Sequence, residues 1–223
     1  MAISIIGSRN VLSAGGGVQT LTTASIDSTG SSLVIINVAD GQGSTLGVIS
    51  DNKGNTWTAL TTYNDGVLTR CKMYYCINPT VGSGHTFTYT STTNSFASVT
   101  VLLLANTGAI DQTNGASSAV LVSSLAPGSV TPGVNDEIVI TGVNGGGGTN
   151  PAPGTPTGYT LVLSNSAVLN ARFASGMAYQ IQTTATATNP SWTFGTITRA
   201  STNIVTFRFL PVTTGGGNFF LFM

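Results

Sequence analysis

A chain of 223 residues is long enough to bury a core without disulfide or metal staples. Only 6% of it is charged, against about 25% in an ordinary soluble domain, and seven basic residues balance seven acidic ones. Arg9, Lys53, Arg70, Lys72, Arg172, Arg199 and Arg208 are scattered, which argues against electrostatic binding to nucleic acid or acidic membranes.

Polarity comes instead from Thr, Ser, Asn and 28 Gly. Thr favours strands, and Gly, Asn and Ser favour turns, so the composition points to an all-β chain. The opening MAISIIGSRN has no basic n-region and no long apolar run, so synthesis and release in a cytoplasm are expected. No stretch approaches the ~20 apolar residues of a membrane-spanning helix. Residues 1–30, with a glycine run within 14–17 (Ala14-Gly15-Gly16-Gly17), read as an N-terminal arm and first strands.

Strand-like runs then follow at short spacing: 32–39, 45–50, 56–62, 69–77, 85–90, 96–104, 118–125, 136–143, 159–163, 172–182 and 203–210. In 85–90, Phe87 and Tyr89 alternate with Thr86, Thr88 and Thr90, the period of a strand with one face on a core. Asp51-Asn52-Lys53-Gly54-Asn55 and Asn64-Asp65-Gly66 carry hairpin-turn residues. Cys71 and Cys76, five residues apart on one strand, face opposite sides roughly 16 Å apart. A disulfide needs Cα atoms within about 7 Å, so two free thiols are expected. The run 165–178 has poor helical periodicity and reads as strand or loop. Residues 144–158 form a long Gly/Pro loop inside one unit rather than a linker. The expected fold is a single antiparallel β-sandwich, jelly-roll-like, over 31–210. A Gly-rich tail, 211–223, ends in Phe219, Phe220, Leu221, Phe222 and Met223, five apolar side chains suited to assembly.

Few residues point to chemistry. The one histidine, His85, lies in a strand pattern with no acid, cysteine or Gly-x-Ser-x-Gly turn beside it. Among the acids, Asp136 and Glu137 are adjacent and point to opposite faces, while Asp27, Asp40, Asp51 and Asp65 read as turn residues. The run 51–55 resembles part of a calcium loop but lacks the later glutamate. Trp57 is expected inside the sandwich. The aromatics available for a sugar platform are Trp57 itself, Tyr63, Tyr74, Tyr75, Tyr159, Tyr179 and Trp192, and of the adjacent Tyr74 and Tyr75 one faces in and one lies near the surface. No catalytic, metal or cofactor-binding residue is assigned, and the chain reads as no enzyme.

Asp51-x-x-Gly54-Asn55-Thr56-Trp57, Met73-Tyr74-Tyr75 and Gly84-His85-Thr86-Phe87-Thr88 come in an order that resembles a known sandwich module. Asn135-Asp136-Glu137-Ile138-Val139 and Gly158-Tyr159-Thr160-Leu161 continue it. The module occurs in phage virion proteins and in bacterial surface or secreted proteins, and the resemblance covers roughly residues 33–210. It implies a jelly-roll-like or immunoglobulin-like sandwich used for display or adhesion, with no catalytic residue to transfer. The expected role is a non-enzymatic virion structural protein: a capsid decoration protein, head fibre or small tail component. Its expected partners are other virion proteins and copies of itself, as a trimer by family analogy. The alternative is a module that binds a host-surface glycan or receptor.

Overall fold

The computed structural model describes residues 2–13, 18–41, 46–147, 152–167 and 173–210. The apolar tail, the glycine run within 14–17 and the centre of the Gly/Pro loop lie outside the described residues. All regular structure described is β, in two antiparallel sheets packed face to face. Among the described residues no helix is long and apolar enough to cross a membrane.

The first sheet contains β1 (Ser4–Leu12), β2 (Val18–Thr22), β3 (Leu33–Gly41), β4 (Val48–Asp51), β5 (Thr58–Ala59), β6 (Tyr63–Asn64), β7 (Thr69–Ile77) and β8 (Phe87–Ala105). The second contains β9 (Thr107–Leu125), β10 (Glu137–Gly146), β11 (Pro153–Gly154), β12 (Thr160–Ala167), β13 (Phe173–Gln182) and β14 (Trp192–Phe209). Among the described residues the chain crosses between sheets once, at Asn106, whose φ of 57° is one that asparagine tolerates. This is the expected antiparallel β-sandwich.

The 85–90 and 96–104 runs are two ends of one strand, β8. Its N-terminal part pairs with β2 and β4, and its C-terminal part with β1 and β3. The sheet thereby folds over itself, and Phe87 and Tyr89 pack with Val99, Val101 and Leu103 of the same strand. Strand β3 is buried on both faces. Val34, Ile36 and Val38 join that fold-over core, while Leu33 and Ile35 face the second sheet. This explains why β3 reads as a continuous apolar run.

The two sheets repeat one topology. The first has the order β1-β8-β3-β7-β5 and the second β9-β14-β10-β13-β12. The registers agree residue by residue. Leu33 pairs with Ile77 and Leu104; Ile138 pairs with Ile181 and Phe207. Tyr89 pairs with Leu21, and Trp192 with Leu125. Even the isolated bridges match, Ile26 to His85 and Val130 to Thr188. The shared core is built from equivalent residues of both units: Leu33 and Ile138, Ile35 and Ile140, Met73 and Met177, Leu102 and Val205, Leu104 and Phe207. Contacts are reciprocal: β7 packs on β10 and β14, and β13 on β3 and β8. This is the pattern of a two-fold, isologous interface within one chain.

Several local expectations are corrected. Asp51–Asn55 is not a hairpin, because β4 pairs with β8 while β5 pairs with β7. Asn64–Gly66 is one, joining β6 to β7. Asp40 lies in β3, fully buried, rather than in a loop. Tyr74 and Tyr75 are both packed into cores, because β7 has a layer on each face. Trp57 is half-buried at the rim of the fold-over core, edge-on to Phe87 at 6.0 Å between ring centroids, not between the sheets. Both cysteines are free.

Candidate functional site

The fold gathers residues that are far apart in sequence. His85 is fully buried and stacks on Phe87. Its Nδ1 is 2.8 Å from Ser28 Oγ, and its Nε2 is 3.6 Å from Asp51 Oδ1. Serine, histidine and aspartate therefore converge. A nucleophilic serine must, however, meet its substrate. Ser28 has no exposed surface, and its hydroxyl is also within hydrogen-bond reach of both backbone groups of Gly82. Asp51 accepts from the backbone N–H groups of Lys53 and Asn55 and, at 2.9 Å, from Trp57 Nε1. Burial pushes the His85 pKa below its ordinary value, against the opposing pull of Asp51. The cluster is a tie between three loops. The second unit makes the same tie with other atoms: Tyr159 hydroxyl and Thr188 Oγ1 lie 3.0 Å apart. They occupy the places of Trp57 and His85.

A carboxylate pair also forms, though not Asp136 with Glu137. Arg208 bonds Asp111 and lies 3.8 Å from Glu137. Burial raises the Glu137 pKa; at Asp111 burial acts the same way, but Arg208 and the Gly133 N–H outweigh it and hold the group low. Carboxylates that cleave glycosides must flank an open bond. Glu137 has no exposed surface, and the guanidinium sits with both acids. Cys71 faces the second sheet, where Asn37 and Asn203 touch its sulfur at 3.3 Å, and burial pushes its thiol pKa far up. Such a thiol is inert. Among the described residues no three His, Cys, Asp or Glu come together as a metal site.

A groove of about 400 Å³ lies open between β4, the 55–59 segment and β7, with Val48, Ser50, Asn55, Trp57, Lys72 and Tyr74 on its walls. Lys72 Nζ lies 5.1 Å from the centre of the Tyr74 ring. Behind it runs a buried polar chain. Tyr74 hydroxyl donates to Gly47 O at 2.8 Å, and Gly47 N donates to Tyr89 hydroxyl at 2.9 Å. Tyr89 donates to Asp40 Oδ2 at 2.5 Å, and Arg70 Nη2 is 3.1 Å from Asp40 Oδ1. Burial, then the Asp40 charge, push the Tyr74 pKa up to about 12.

Of the aromatics expected as platforms, Tyr75 meets Phe207 edge-on in the shared core and Trp192 is fully buried. Tyr63 packs over Gly115. Trp57 alone of them joins Tyr74 in this groove. Period-two reading of Lys72-x-Tyr74 would have placed those two on one face. Nothing local signals Asp40, whose partner Arg70 is on another strand. The assembly residues Phe219, Phe220, Leu221, Phe222 and Met223 lie outside the described residues. No family model, curated protein or solved structure matches the chain.

Proposed function

We propose that this chain is a non-enzymatic structural protein of a phage virion, a capsid decoration protein, head fibre or small tail component, that works by assembling with copies of itself. The observation that carries this reading is the exposure of large apolar side chains where the outer strand of the second sheet meets its neighbour. Val120 and Leu121 on β9 and Ile197 on β14 are 70%, 50% and 56% exposed. Ile197 lies within the irregular pairing between Thr193 and Thr198, and Val120 and Leu121 within the next irregularity, opposite Thr198 to Ala200. Among the described residues β9 pairs with β14 alone, so its other edge offers backbone groups to a neighbour. A formal net charge of zero leaves no net repulsion to keep copies apart.

Light scattering on the purified chain tests this. The natural chain is expected to be an oligomer, and Leu121→Asp with Val120→Asp to release monomers of unchanged β-type circular dichroism. Deleting 215–223 is expected to leave the same folded body while weakening attachment to the particle. Antibody labelling of virions should mark heads or tails. A monomer at every concentration, with unlabelled virions, removes the proposal. A second reading, adhesion to a host-surface glycan, is favoured by the Trp57 and Lys72 groove.

A further inference from the structure

We infer that the groove between β4, the 55–59 segment and β7 binds an acidic saccharide, with Trp57 stacking on a sugar ring and Lys72 receiving its anionic group; this rests on the adhesion reading.

The repeat supplies a control inside the molecule. In the second unit Gly176 stands for Lys72 and Ala178 for Tyr74. Pro153, opposite Phe194, stands for Gly47, which precedes the Val48 to Thr90 pair. There the space is filled: a Cβ on Gly176 would meet the Trp192 ring at 2.8 Å and Pro153 Cγ at 3.2 Å. The same fold thus closes the groove in one unit and keeps it open, beside a lysine, in the other.

The open groove also has a dedicated support. Gly47 is held through both its N–H and its C=O by Tyr89 and Tyr74, and Tyr89 donates in turn to Asp40, which pairs with Arg70. A side chain at 47 would come within 2.0 Å of Thr90 O, so the wall fits glycine alone. Burying an ion pair is expensive and seldom required for stability. The second unit does without it, with Gly145 and Ala174 in the places of Asp40 and Arg70. Fixing a wall in advance is instead what a binding site needs.

The lining selects the ligand class. The volume of about 400 Å³ is in the range of small-molecule sites. Lys72 is the one charged side chain among the described lining residues, so an anion is favoured. One cation is too few for a nucleic-acid strand, which needs several phosphate contacts. A half-exposed indole suits the apolar face of a sugar ring, and Ser50 offers its hydroxyl to the sugar's own.

A glycan array bearing neutral, sialylated and sulfated glycans, probed with the full chain, tests this. Retention is expected on acid-bearing glycans only, and at least tenfold weaker with Lys72→Gln and with Ala59→Glu, an exposed position on the rim. Both variants should melt as the natural chain does. The bound glycan should also change the emission of Trp57, which is absent in Trp57→Phe. If acidic glycans bind these variants as tightly as the natural chain, the inference falls and the adhesion reading stands. If only neutral glycans bind, the inference falls on ligand class. If no glycan is retained, the adhesion reading falls with it, as it does if an oligonucleotide spot is the sole ligand.

Discussion

His85 is the chain's only histidine, so its titration can be read without interference. Burial holds the folded ring's pKa below the unfolded value of about 6.5. The unfolded chain therefore takes up the proton first as pH falls. The tie to Ser28 and Asp51 is at full strength above about pH 6.5 and weakens as pH drops from there through the folded pKa. The urea midpoint should be flat above about pH 6.5 and decline toward about pH 5, and His85→Gln should flatten that decline. A decline unchanged in the variant would assign it to other groups. The Asp40 and Arg70 pair gives a larger effect. Truncating Arg70 to alanine leaves a buried carboxylate, and a loss of about 3–5 kcal/mol is expected by urea titration. A thiol reagent should leave Cys71 unmodified in the folded chain and modify it in denaturant. The free thiols were legible from strand spacing alone. The ion pair was not, because an aspartate in a polar run looks the same in a loop as in a strand with a hidden partner.

Strands that carry apolar alternation were legible, and those that do not were missed. The pattern 85–90 announced the start of β8. The first part of β9, with Asp111, Gln112, Asn114 and Gly115, has no alternation, because an outer strand buries little of either face. Single-face logic also misjudged β7 and Trp57. A strand between two layers buries both its faces, and a residue beyond a turn can stop at the rim. Trp57→Ala should cost about 1.5–3 kcal/mol, less than the ~3–5 expected of a fully buried aromatic. Guanidinium titration gives that value. Acrylamide should quench Trp57 and leave Trp192, which has no exposed surface, bright.

The repeat governs the molecule as a whole. Its trace in sequence is thin: Met73-x-Tyr75-x-Ile77 against Met177-x-Tyr179-x-Ile181, and Val18-x-x-Leu21 against Val122-x-x-Leu125. Register makes it plain because pairing keeps positions aligned while side chains change. Neither unit can cover the shared core alone, since each would expose Met73 or Met177 with their apolar neighbours. Fragments 1–105 and 107–223, made separately, should each lack a cooperative melting transition. Mixed, they should regain one. Two fragments that each melt cooperatively as monomers would show that the core between the sheets is dispensable.

The crossing at Asn106 gives this pair of sheets a property that no pair of separate chains has. Partners joined so closely meet at an effective concentration on the order of millimolar, whatever the dilution outside. Their association therefore never has to be maintained by abundance. In a homodimer, moreover, every substitution appears at both symmetric places. Here it appears once, so Lys72 could enter one unit while Gly176 and Trp192 kept the other closed. The consequence, on the adhesion reading, is odd valency: of the two equivalent places in the repeat, the described residues leave one open and fill the other. On that reading, avidity for a repetitive surface would come from several chains side by side, each contributing a single point of attachment.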